Sequence, residues 1–232
     1  MALPKQTLPI FELEVPSTQK KVKFRPFTVR EEKALLQALE VGSESVMLNA
    51  AKEVISACVP DIGNPDNLTF FDVEYIMTAL RAKSVEESVT LELPCDTDPS
   101  HEKTRVMINL ESLKVHRPEG HLKEIPLYDD VGVVMKYPTL KDLTTLENAT
   151  GPELVRLCID YVYSADEIFR AEDQTVEELT EFIDSLTKAQ FDKIEDLFFK
   201  RMPYFEMVAK YKCRQCGTEH VKRFRGFSNF FG

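Results

Sequence analysis

From Phe205 to Phe231 the chain alternates apolar and polar residues, breaks at Cys213-Arg214-Gln215-Cys216-Gly217, and alternates again. Period-two alternation on both sides of a tight turn predicts a β-hairpin, and a turn this tight draws on the backbone freedom of Gly217. Two cysteines separated by two residues can place two thiolates on one metal ion. The segment therefore reads as a zinc-ribbon-like hairpin that must find its remaining ligands elsewhere. It ends in Phe227, Phe230 and Phe231, an apolar run that predicts a contact with a binding partner.

The stretch from Ser88 to Leu110 follows the same plan: alternating strand, cysteine, polar turn, alternating strand. Placing Cys95 over Cys213 sets Asp98 over Cys216 and His101 over Glu219. The terminal hairpin supplies Cys213, Cys216 and His220 as candidate ligands. A closed structural zinc site takes four nitrogen or sulfur ligands, and Cys95 or His101 is the candidate for the missing one. The plain alternative is a tight turn whose cysteines are reduced and unliganded. Cys58 and Cys158 sit inside apolar helical patterns and read as small core residues.

Elsewhere the sequence is punctuated by helix starts. Thr28 with Glu31, Thr175 with Glu178, and Thr187 with Gln190 have the spacing of capping boxes. Gly151-Pro152-Glu153 opens a helix with proline in its first turn. Helices are expected after Thr28 (Leu35, Leu36 and Leu39 inward), from Ser45 to Cys58 (Val46, Ala50, Val54 and Ala57) and from Thr69 to Ala82. A short one spans Thr139 to Asn148, and another begins at Gly151 with a stripe of Leu154, Leu157, Cys158, Tyr161 and Val162. Two more begin at Thr175 and Thr187. Ile10–Val15 and Lys21–Phe27 form a first hairpin, and Leu122–Leu127 and Val131–Tyr137 read as extended pieces around Asp129-Asp130.

The fold class that follows is α+β, helix-rich, with segregated small antiparallel hairpins rather than an alternating parallel sheet. The expected organisation is 1–85 (hairpin plus helices), 86–138 (middle hairpin region), 139–204 (helical region) and 205–232 (Cys-x2-Cys hairpin and aromatic tail), gathered into one or two compact domains.

Composition narrows the function. The formal charge of −10 argues against a general nucleic-acid binder. It is unevenly spread: Ser164–Leu197 carries eleven acids and three bases, whereas Tyr204–Gly232 carries six bases and two acids. No run approaches membrane-spanning length and no secretory leader opens the chain, so a reducing, cytosolic setting is expected. Eight glycines form no phosphate-binding fingerprint. His116 and His121 read as ordinary loop residues, and Asp129-Asp130 as a solvated turn. No catalytic constellation emerges, and the expectation is a protein that binds other proteins and is not an enzyme.

Several blocks carry a family likeness. They are the Leu-Pro-x-x-x-Leu-Pro arm at residues 3–9, the run Lys23-Phe24-Arg25-Pro26-Phe27-Thr28-Val29-Arg30-Glu31-Glu32-Lys33, and Tyr137-Pro138-Thr139-Leu140. Phe182-Ile183-Asp184-Ser185-Leu186 and the terminal Cys-x2-Cys-Gly with its Phe-Phe ending complete them. Together they resemble the baseplate hub subunits and hub assembly proteins of T-even-like contractile-tailed bacteriophages, over nearly the whole chain. The resemblance implies a non-enzymatic virion or virion-assembly protein. It would bind other tail proteins (hub subunits, the tape measure, the central spike) in the host cytoplasm during assembly and in the tail baseplate of the virion. A tail assembly chaperone for the tape measure, absent from the mature particle, is the alternative, and a zinc-ribbon nucleic-acid binder is a further one. In this sequence the middle hairpin has Asp98 where a second cysteine would make a knuckle, which argues against a separate metal there.

Overall fold

The structure, a computed structural model, describes residues 6–142 and 149–225. The chain divides into two units, one from residues 1–116 and 205–232, the other from 117–204. The fold is α+β, with small antiparallel sheets set among helices.

In the first unit, Phe11–Glu14 pairs antiparallel with Lys21–Phe24, placing Leu13 opposite Val22. Alternation drives Leu13, Val22 and Phe24 into the core. The hairpin turn is tied down by the Ser17 N–H, which donates to Asp72 Oδ1 at 2.8 Å. Asp72 is fully buried near the start of the helix Phe70–Ser84. Its Oδ2 accepts from the Thr69 N–H at 3.1 Å and from the Thr69 hydroxyl at 2.7 Å. One carboxylate thus caps a helix and anchors a turn fifty-five residues away.

The helix Val29–Val41 starts at Thr28 as its capping box requires and stops at Gly42, whose φ of 68° suits a residue without a side chain. Its inward line is Glu31, Leu35 and Ala38, and Leu36 is outward at 52% exposure. The predicted pairing of Leu35 with Leu36 on one face fails because adjacent helical residues stand about 100° apart. The next helix, Glu44–Cys58, buries Met47, Ala50, Ala51, Val54, Ile55 and Cys58, with Val46 and Ala57 outward. Ala50 and Val54 of the expected stripe are buried, while at its ends Met47 and Cys58 take the inward places expected of Val46 and Ala57.

The middle hairpin pairs Ser88–Leu93 with Thr104–Asn109, and the terminal hairpin pairs Met207–Lys212 with Glu219–Phe224. In the terminal hairpin Met207, Ala209, Tyr211 and Cys213 are buried at alternate positions. Strand periodicity alone therefore turns Cys213 inward at the end of the strand, while Lys210 and Lys212 face water.

The second unit holds an antiparallel four-stranded sheet in the order Glu124–Tyr128, Val131–Met135, Ile159–Tyr163, Ile168–Arg170. Its core joins Ile125, Val133, Met135, Ile159 and Val162 from the sheet to Val155, Cys158, Ile183, Ile194 and Phe198 from the helices and their ends. The helices Val176–Asp184 and Lys188–Leu197 begin at the predicted capping boxes.

One expectation is overturned in this unit. The helix from Gly151 ends at Cys158, and Tyr161 and Val162 belong to a strand. The run Ile159-Asp160-Tyr161-Val162-Tyr163 is β-branched and aromatic, and a paired strand satisfies its backbone while presenting Ile159 and Val162 to the core. Of the helix expected over Thr139–Asn148, Leu140–Asp142 forms a single 3-10 turn and residues 143–148 lie outside the described residues.

Candidate metal centre

The two knuckles of the first unit meet. Cys95 lies just beyond the strand Ser88–Leu93, and His101 lies in the loop that follows. Cys213 and Cys216 occupy the turn of the terminal hairpin. The ligand atoms of Cys95, His101, Cys213 and Cys216 all lie within 4.8 Å of one another. Cys95 Sγ is 3.7 Å from Cys216 Sγ, and Cys213 Sγ is 3.5 Å from His101 Nδ1. Cys95 and Cys213 are buried, His101 is half-buried, and Cys216 stands at the surface.

Backbone amides converge on the sulfurs in a repeated pattern. Cys95 receives the amides of Thr97 and Asp98, and Cys213 those of Gln215 and Cys216. In both cases these are the residues two and three positions on. Amide donors favour the thiolate form. Burial raises the Cys95 thiol, but the Asp98 amide, the His101 ring and the Thr97 amide outweigh it and hold the thiol down at about 5. The hydroxyl and amide of Thr218 lower Cys216. The Cys216 and Gln215 amides pull the Cys213 thiol down, but burial and the neighbouring thiols of Cys216 and Cys95 together outweigh them, and it is raised. His101 is raised first by its contact with Cys95, with Asp98 adding to this against the effect of burial.

Each histidine has a carboxylate behind it. His101 turns Nε2 toward Asp98 Oδ2 at 3.5 Å, and Asp98 is fixed in turn by the Ser100 N–H and hydroxyl on its Oδ1. His220 is buried and packs at a tilt against Tyr211, with ring centroids 5.2 Å apart. Its Nε2 lies 3.4 Å from Cys95 Sγ and its Nδ1 3.7 Å from Asp96 Oδ2. Asp96 also pairs with Lys222 at 2.6 Å.

Of the five residues singled out in the sequence as ligands, four form the cluster, and His220 stands behind Cys95 outside it. Sequence reading missed the parts played by Asp96 and Asp98. The available signal is an acid three residues before His101, at the position where a second cysteine would complete a knuckle. Phe227, Phe230 and Phe231 lie outside the described residues. His121 is not a ligand: it packs against Tyr137 and Phe198, with Nε2 2.9 Å from the Tyr137 hydroxyl. Three sulfurs and one imidazole make a soft donor set of the kind that binds zinc, and the cluster is able to hold a metal ion.

Fold and cluster define a class: an α+β protein of separated small sheets bearing a zinc-ribbon-like hairpin near its C-terminal end. The chain belongs to a phage family, since the family model described as T4 bacteriophage base plate protein matches residues 8–232. No curated protein and no solved structure matches it. Among the described residues no helix is long and apolar enough to cross a membrane.

Proposed function

We propose that this chain is a non-enzymatic component of the phage tail baseplate hub, or a factor in its assembly, and that it acts by binding other tail proteins. Membership of the baseplate family across residues 8–232 is the observation that carries the reading. The partners are other hub subunits, the tape measure and the central spike. The protein works in the host cytoplasm during assembly and in the tail baseplate thereafter. The Cys–His cluster enters this reading as a structural zinc centre, because four protein ligands leave no open position for a substrate.

The chaperone alternative has one supporting observation. Glu177, Glu178, Glu181 and Asp184 are exposed on the helix Val176–Asp184 and offer a negative face to a basic helix of a client. Mass spectrometry of purified intact tails and of assembly intermediates separates the readings. A hub component is found in both, a chaperone in intermediates alone, and absence from both overturns the proposal.

Nucleic-acid binding is disfavoured by the fate of the basic terminal strand. Lys222 pairs with Asp96, and Arg223 and Arg225 both pair with Glu206 at 2.5 and 2.8 Å. These cations are neutralised within the unit. A salt-dependent shift of labelled DNA by the purified chain would reverse this judgement.

A further inference from the structure

We propose that Cys95, His101, Cys213 and Cys216 hold one zinc ion in a closed tetrahedral site, with His220 as an outer group that donates Nε2–H to the Cys95 sulfur. The inference specifies the zinc centre named above, its ligands and its outer histidine, and does not rest on membership of the baseplate family.

The distances suit one ion. Zinc–sulfur bonds of about 2.3 Å at tetrahedral angles place two sulfurs about 3.8 Å apart. Cys95 and Cys216 stand at 3.7 Å. With a zinc–nitrogen bond of about 2.05 Å the sulfur-to-nitrogen edge is about 3.6 Å, against 3.5 Å between Cys213 and His101 Nδ1. These two edges are already close to ideal, and the remaining four lie within 4.8 Å, a contraction of about 1 Å or less from closing on one ion.

The surroundings are built for the same ion. The matched amides on Cys95 and Cys213 spread the charge of bound thiolates. Asp98 lies behind Nε2 of His101, which presents Nδ1 to the cluster; a carboxylate behind a metal-bound imidazole sets its tautomer and orientation. His220 repeats the device one layer out. Asp96 faces its Nδ1, Tyr211 packs its ring, and Nε2 is left directed at Cys95. Three soft sulfurs select zinc over the hard cations, which need oxygen ligands.

The location gives the ion its task. The first unit is assembled from two chain segments separated by residues 117–204. Two ligands come from the segment before that insertion and two from the segment after it. The ion clasps the departing chain to the returning one, across a sequence gap of 121 residues between Cys95 and Cys216.

The test uses the full chain, purified under reducing conditions and titrated with zinc. The expected result is one zinc per chain, with three sulfurs and one nitrogen in the metal-edge X-ray absorption spectrum. His101→Gln and Cys213→Ser lose stoichiometric metal, whereas His220→Gln keeps it with affinity weakened 10–100-fold in chelator competition. Should Cys213→Ser fail to fold, the metal count and ligand shell of the unaltered chain still decide. Absence of bound zinc at saturation overturns the site. A shell of two nitrogens, or loss of metal from His220→Gln but not from His101→Gln, overturns the assignment of the two histidines.

Discussion

Glu31 offers the sharpest test of how the first unit is held together. Its carboxylate accepts from Arg25 Nη2 at 2.9 Å, from the Thr28 N–H at 2.7 Å and from the Thr28 hydroxyl. It is nearly buried, its side chain 10% exposed. Burial raises its pKa, but the Arg25, Thr28 hydroxyl and backbone amide hydrogen bonds dominate and bring it from 4.5 to about 2. At about 1.4 kcal/mol per unit, that displacement corresponds to roughly 3 kcal/mol of folding stability at neutral pH. The folded-state pKa is depressed, so the contribution is fully present above about 4.5 and is lost as pH falls toward 2. Glu31→Gln keeps an oxygen for the Thr28 N–H and removes the charge, so the expected deficit at pH 7 is about 1–3 kcal/mol. Urea denaturation of both chains between pH 7 and pH 3 measures it. Taking the difference cancels every other titrating group, the cysteines and histidines included. The deficit should shrink steadily below pH 4.5. A deficit of constant size down to pH 3 would refute the argument, since the loss would then come from packing rather than charge.

Other residues give independent checks. Asp72→Ala strands the buried amide of Thr69 and the half-buried one of Ser17, and at about 1–3 kcal/mol for a buried unsatisfied group the thermal midpoint should fall by several degrees. Asp72→Asn, which keeps an acceptor, should recover part of the loss. A methyl group at Gly132 would lie 2.2 Å from the Tyr163 hydroxyl oxygen and 2.7 Å from the Ile125 carbonyl. Gly132→Ala should therefore destabilise by about 2 kcal/mol or more; unchanged denaturant midpoints would show that the sheet gives way more easily than its packing implies. Burial is the main cause lowering the His121 pKa. The stability it confers is present above the ordinary value of 6.5 and is lost as pH falls below it. An NMR titration in which the His121 ring protonates at or above the free-histidine value would contradict this.

Much of the local structure was legible because it is written locally. Thr28 with Glu31, Thr175 with Glu178 and Thr187 with Gln190 announce helix starts within four residues, and Gly42 announces an end. Alternation around Cys213 and Cys216 announces a hairpin, and its register carries Cys213 inward. Of the two expected helix faces, Leu35, Ala50 and Val54 are buried but Leu36, Val46 and Ala57 are not, because clustered apolar residues do not reveal which of them the core will accept. The sequence of Ile159–Tyr163 also fits more helix, since an apolar run leaving a helix can continue or extend; pairing with the neighbouring strands decides for the strand. The family blocks were legible in the same local way; the baseplate family model, matching residues 8–232, covers all of them except the first residues of the 3–9 arm.

The cluster divides along the same line. Sequence alone marked the chemistry: thiols and imidazoles at knuckle spacing, in hairpins that echo one another. It could not say which histidine meets the sulfurs, because ring direction depends on groups brought up from other segments. Folding puts Asp98 behind His101 and turns His220 toward Cys95 with Asp96 at its back. A ligand set is a statement about distances across more than a hundred residues, and only packing the two hairpins together determines those distances.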